Sequence, residues 1–173
     1  AHLINYLAHK DYLVALYPNA TRSEDMNKTH NNDLPLLNDI TNNLTPETKD
    51  KILKFSGPLN AADMYHIINS CDAHLVSRFH AMVTALSSKI PVLVIGWGHK
   101  YLEVMESFGQ ADMVVDYRKG DQNSILMSLE YLIDNRIKIS KTIENSLFEV
   151  KKNLSVRLIL PLSFWRSDYV DFE

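Results

Sequence analysis

Short apolar runs alternate with longer amphipathic stretches along most of this chain. "YLVALYPNA" (12–20) reads as a buried strand ending in a Pro-Asn turn, "AHLVS" (73–77) and "DMVVDY" (112–117) as further strands, and "PVLVIG" (91–96) as a wholly apolar one. "KILKFSGPLN" (51–60) suggests a short strand and turn. Between these runs the apolar spacing changes to that of helices. "LPLLNDITNNL" (34–44) and "HKYLEVMESFG" (99–109) are two examples, the second closed by Gly109. "AADMYHIINS" (61–70) places Met64, Ile67 and Ile68 on one helical face. In "RFHAMVTALSS" (78–88), Phe79, Met82, Val83 and Leu86 follow the i, i+3, i+4, i+7 pattern of a core-facing stripe. Residues 122 to about 155 read as two helices, and the opening "AHLINYLAHKD" is already helical. "TRSEDMNKTHNND" (21–33) has the composition of an exposed loop.

Strands that lack in–out alternation and are separated by helices predict a parallel sheet covered on both faces. The fold class is α/β, Rossmann-like, with right-handed crossovers. One domain is expected over residues 1–155. The tail 156–173, with Phe164, Trp165, Tyr169 and Phe172, is expected to pack on it or on a further domain. Ligands of such sheets sit beyond the carboxyl ends of the strands, so those junctions are where chemistry is expected.

Composition narrows the picture mainly by exclusion. A chain of 173 residues that is 46% hydrophobic and 23% charged can bury an ordinary core. Its net charge of −3 gives no electrostatic reason to bind nucleic acid or an anionic membrane. The single cysteine, Cys71, rules out an intrachain disulfide and a cysteine-based zinc cluster. The N-x-[ST] triplets at Asn19, Asn27, Asn43 and Asn153 come without a signal peptide, and no apolar run approaches a membrane span. The expectation is a soluble, cytoplasmic protein, and the helical start without Met suggests the C-terminal part of something longer.

Two junctions stand out. In "LVSRFHAMVTAL" (75–86), Ser77 is placed to N-cap the following helix, and Arg78 and His80 fall in its first turn. The helix dipole already makes that turn positive, so two more basic groups there make an anion site. The plainer alternative pairs Arg78 with a carboxylate such as Asp72. In "VIGWGHKYLEV" (94–104), His99 and Lys100 open the next helix in the same way. Arg78, His80 and Lys100 would then face one crevice and suit a ligand bearing phosphate or carboxylate. Gly96-x-Gly98 with Asp116 20 residues beyond Gly96 resembles a dinucleotide fingerprint, but Tyr101 occupies the third glycine position. His66, His74 and His80 have no metal-binding spacing, so neither metal nor cofactor is expected, and His74 reads as a packed strand residue.

The stretch from Cys71 to Gly109 resembles the polysaccharide pyruvyl transferase family. The likeness rests on Cys71-Asp72, Ser77-Arg78-Phe79-His80-Ala81, Ala85-Leu86, Pro91-Val92 and Lys100, with Asn19 and Asn32-Asp33 less specific, and spans roughly residues 12 to 117. Lys89 departs from it, standing where many members have glycine. The resemblance implies the C-terminal half of a GT-B-like enzyme acting in the biosynthesis of a cell-envelope polysaccharide. Such an enzyme moves a pyruvyl group from phosphoenolpyruvate to hydroxyls of a sugar or lipid-linked glycan. It also implies roles. Arg78 would clamp the donor, His80 would be the general acid, and Lys100 would neutralise the departing phosphate. Ser77, His99, Asn19 and Asp33 would line the substrate cleft, though loop hydrogen bonding serves the last two equally well. The acceptor half would be an N-terminal domain, so this chain alone is expected to be inactive. Two other readings stay open. One is a GT-B glycosyltransferase half that binds a sugar nucleotide, with Glu103 or Glu106 for the ribose. The other is a ligand-binding domain without catalysis.

Overall fold

A computed structural model describes residues 1–21, 32–96, 98–119 and 121–157, with side chains as far as Lys152. The chain divides into two compact units, Ala1–Cys71 and a second beginning at Asp72. The element order is mixed α/β throughout, and every strand pairing described is parallel.

The first unit contains α1 (His2–His9), β1 (Val14–Leu16), α2 (Leu34–Asn42), α3 (Pro46–Lys49), β2 (Ile52–Lys54) and α4 (Ala61–Asn69). β1 and β2 form a two-stranded sheet, with Val14 beside Ile52 and Leu16 beside Lys54. The expected buried strand at 12–20 is shorter and less covered than its composition suggests, because Tyr12 and Leu13 are exposed and Val14–Leu16 half-buried. α4 starts from a capping box in which Asn60 accepts from the Ala62 and Asp63 amides while Asp63 accepts from the Asn60 amide. Those bonds satisfy amide donors that no earlier turn can reach.

The second unit contains β3 (His74–Val76), α5 (Phe79–Ser87), β4 (Val92–Ile95), α6 (His99–Ser107), a 3-10 turn (Ala111–Met113), β5 (Val114–Val115), α7 (Gln122–Asp134) and α8 (Arg136–Arg157). Its sheet runs β3-β4-β5. Val92, Leu93 and Val94 of the central strand are at most 1% exposed, which is what a wholly apolar strand predicts. β3 behaves differently. His74 and Val76 are buried, yet Leu75 between them is 39% exposed, the alternation of a strand covered on one side. The strand expected at 112–117 shrinks to two residues, because the 3-10 turn consumes its start.

The apolar stripe of α5 also needs adjustment. Met82 and Leu86 are fully buried together with Ala81 and Ala85, but Phe79 is half-buried and Val83 is 41% exposed. Val83 instead lines an apolar groove of about 370 Å³ shared with Leu86, Val104, Phe108, Leu147 and Val150. The two helices expected after residue 122 are present as α7 and α8. The tail aromatics at 164–172, Trp97, and most of the polar stretch at 21–33 lie outside the described residues.

Candidate functional site at two strand ends

β3 and β4 are neighbours and run the same way, so the starts of α5 and α6 lie side by side beyond their carboxyl ends. At the first of these, Val76 ends the strand and Arg78 (φ −104°, ψ 135°) is the extended residue that caps α5. Ser77 therefore does not cap the helix, contrary to expectation. The cap falls one residue later, which leaves the exposed Ser77 hydroxyl a position too early to serve the first-turn amides. Arg78 is half-buried at the cap itself and not within the first turn. His80 is exposed at the second helical position, its ring edge-on to Phe79 at 6.2 Å. Among the described residues no side chain accepts from the opening amides of α5.

α6 starts in the same fashion. Gly98 (φ −87°, ψ 138°) is its cap, again without a side-chain bond among the described residues. His99 turns toward its own helix, with Nδ1 3.1 Å from Glu103 Oε1, and both side chains are largely exposed. Lys100 reaches back to the first junction, its Nζ lying 4.9 Å from the centroid of the Phe79 ring and 5.6 Å from that of Tyr101. These separations suit an ammonium held against aromatic faces.

Tyr101 joins the two junctions directly. Its hydroxyl donates to the Ser77 carbonyl at 3.0 Å, and its ring meets Phe79 edge-on at 5.7 Å. The same ring lies against the glycine turn, 3.4 Å from where a β-carbon would stand on Gly96 and 3.2 Å from the equivalent point on Gly98. Both Tyr101 and Phe79 were absent from the candidate residues read off the sequence. One looked like a broken glycine pattern and the other like core. The usable signal was a tyrosine three residues beyond a cap glycine, since glycines leave room for a ring.

This geometry also bears on the dinucleotide alternative. Tyr101 fills the face of the turn where that fingerprint requires close backbone approach. Asp116, the acid of that fingerprint, grips Arg118 through two side-chain bonds of 2.9 and 2.7 Å. The hydrogen bond from that guanidinium is the main reason its carboxyl is pulled down to about 2. Glu103, an acid offered for a sugar nucleotide, faces His99.

In the first unit the structure brings Asn19 and Asp33 to each other. Asp33 Oδ2 accepts from the Asn19 and Ala20 amides at 3.1 and 3.0 Å, and the Asp33 amide donates to the Ala20 carbonyl at 2.8 Å. Asp33 thus ties the start of α2 to residues 19 and 20.

A parallel α/β sheet with cations and open helix starts at adjacent strand ends is the arrangement of α/β proteins that take anionic ligands beyond their strands. Residues 3–99, more than half of the 173-residue chain, match the polysaccharide pyruvyl transferase family, and the chain belongs to that family of transferases. Ser77, Arg78, His80, His99, Asn19 and Asp33 lie within the matched residues, and Lys100 lies one residue beyond them. Neither a curated protein nor a solved structure matches the chain. Among the described residues no helix is long and apolar enough to cross a membrane.

Proposed function

We propose that the paired strand ends form the donor site of a pyruvyl transferase whose donor is phosphoenolpyruvate. The observation that carries this reading is the coupling of the Arg78 junction to the Lys100 junction through Tyr101 and Phe79. It brings the Arg78 backbone and the Lys100 ammonium to neighbouring helix starts, and a guanidinium and an ammonium carried there would suit a small ligand with both a phosphate and a carboxylate.

The chemistry follows from the donor. His80, as general acid, gives a proton to the methylene carbon, which becomes a methyl group while C2 becomes an oxocarbenium-like cation. A sugar hydroxyl attacks C2 and loses its proton. The bond between C2 and the phosphate oxygen then breaks, and Lys100 with the helix starts stabilises the departing phosphate. A second hydroxyl of the same sugar closes the ketal. One hydroxyl proton restores His80 and the other leaves with phosphate, so donor and diol give cyclic ketal and inorganic phosphate. Arg78 holds the carboxylate throughout.

The family resemblance supports reading this chain as the donor-binding, C-terminal half of a GT-B-like cytoplasmic enzyme of cell-envelope polysaccharide synthesis. An N-terminal half would carry the sugar or lipid-linked glycan acceptor. Residues 1–155 would then form its Rossmann-like domain, with 156–173 packing on it or on the other half. On this reading the chain binds donor but does not turn it over.

The test is calorimetric titration of the chain with phosphoenolpyruvate, alongside Arg78→Ala and His80→Ala. Binding that is lost in the first variant and kept in the second supports separate clamp and acid. Binding of a sugar nucleotide in place of phosphoenolpyruvate would sink the pyruvyl donor assignment.

A further inference from the structure

We infer that Tyr101 is a positioning residue for this donor site. From the neighbouring strand end it fixes the Ser77–Arg78 peptide and so sets where the Arg78 side chain leaves the backbone relative to the Lys100 ammonium. The inference takes its ligand from the donor reading above, but its geometry is independent of that reading.

The Ser77 carbonyl and the Arg78 amide belong to one planar peptide unit. A hydrogen bond to that carbonyl sets the plane, and with it the direction in which the chain enters Arg78. Tyr101 makes this bond at 3.0 Å from a different β–α junction, 24 residues further along the chain. The Tyr101 ring cannot drift freely, because Gly96 and Gly98 pack against one side and Phe79 meets it edge-on at 5.7 Å. Lys100 precedes Tyr101 in α6, and its ammonium rests near both rings. A single side chain thus touches the carbonyl before the arginine and the ring after it, and lies near the ammonium of the lysine that precedes it in α6.

A tyrosine that only braced a turn would leave ligand discrimination alone. A positioning tyrosine acts on the spacing between two cations and leaves their charge unchanged. It therefore affects a ligand that spans both more than a ligand that needs one. Phosphoenolpyruvate spans two anionic groups, whereas inorganic phosphate has one.

The experiment compares the full chain with Tyr101→Phe, which keeps the ring and removes only the hydroxyl. Titrations with phosphoenolpyruvate and with inorganic phosphate are run at one ionic strength, and backbone and Arg78 Nε resonances are recorded without ligand. The expected loss of phosphoenolpyruvate affinity is about 3- to 10-fold, the range of one net hydrogen bond, with phosphate affinity held within about twofold. The Arg78 amide and Nε resonances move in the free protein, and Tyr101→Leu, which also removes the ring beneath Lys100, loses more affinity than Tyr101→Phe. Equal effects on the two anions, or Arg78 resonances that stay in place, overturn the inference. If the unsubstituted chain binds no phosphoenolpyruvate, the donor reading falls, and the ligand-free Arg78 resonances alone decide for or against the positioning role.

Discussion

The second unit builds two successive β–α repeats to one plan and finishes them differently. α5 and α6 are each nine residues long, each begins from an extended residue without a side-chain cap among the described residues, and each ends at a residue in the left-handed region. At the start, the first repeat has Arg78 where the second has Gly98. At the end, the first has Lys89 (φ 64°) where the second has Gly109 (φ 65°). The first repeat thus carries side chains at both positions where the second carries none. The difference separates a start that carries a cation, Arg78, from one whose glycines make room for the Tyr101 ring, and the donor reading gives the first start the larger share of the ligand.

The largest test of that division is at the starts. If Arg78 is the clamp, Arg78→Ala removes charge-assisted bonds worth about 1.5–3 kcal/mol, so phosphoenolpyruvate should bind roughly 10- to 100-fold more weakly. Lys100→Ala, which removes a more exposed cation, should cost less in the same titration. Losses in the reverse order would put the clamp on α6 and dissolve the comparison.

Glycine substitutions sharpen it next. A β-carbon on Gly98 would stand 3.2 Å from the Tyr101 ring, so the ring must shift by a few tenths of an ångström. On Gly96 the closest approach is 3.4 Å, an ordinary contact. Alanine is also a poor helix cap, so Gly98→Ala should lower stability by about 1 kcal/mol in denaturant unfolding, and Gly96→Ala by less than half of that. Equal costs would mean that the ring is not seated where the structure has it.

The ends of the helices come third. Lys89 holds a left-handed backbone that glycine would adopt freely, and the surroundings compensate. Its amide donates to the Leu86 carbonyl, its carbonyl accepts from Ser140 Oγ at 2.8 Å, and its ammonium pairs with Glu144 at 2.8 Å. Relief of the strain in Lys89→Gly is offset by the lost ion pair and a freer unfolded chain, so stability should change by less than about 0.5 kcal/mol. Lys89→Val has no such relief and should cost about 1–2 kcal/mol. A glycine variant that unfolds as readily as the valine one would show that the ion pair, and not the backbone, governs this turn.

Much of this architecture was legible in the sequence, because hydrophobic spacing and glycine placement are local signals. The apolar run 91–96 holds the central strand β4, buried at Val92, Leu93 and Val94, and Gly109 follows α6 in a left-handed turn. Other features were not legible because they depend on neighbours far along the chain. Leu75 is exposed although its strand is apolar, Val83 faces a groove completed by α6 and α8, and the cap of α5 falls on Arg78 because of a backbone angle. The same holds for the site. Arg78, His80 and Lys100 announced themselves as basic residues at strand ends. Tyr101 did not, since its partner is a backbone carbonyl, which no residue type encodes. Lys89 lies between these cases. Its departure from glycine was visible, but the two residues of α8 that support it were not.

The smallest expected effect is the acid response of that same turn. Glu144 accepts from Lys141 at 2.7 Å and from Lys89 at 2.8 Å, and these hydrogen bonds, Lys141 first, hold its carboxyl down to about 2. A carboxyl depressed in the folded state binds its proton more readily when unfolded. Its contribution to stability is therefore complete above the ordinary carboxylate range near pH 4.5 and is lost as the pH falls toward 2. The pair is solvent-exposed and screened, so the effect should shrink with added salt. Lys89→Gly removes one of the two donors, and its denaturant midpoint should fall less between pH 5 and pH 2.5 than that of the unsubstituted chain. No corresponding ion pair is described at Gly109, so the flattening should be specific to the end of α5. An unchanged acid slope in Lys89→Gly would assign the depression to Lys141 alone, leaving backbone geometry as the one difference between the two helix ends.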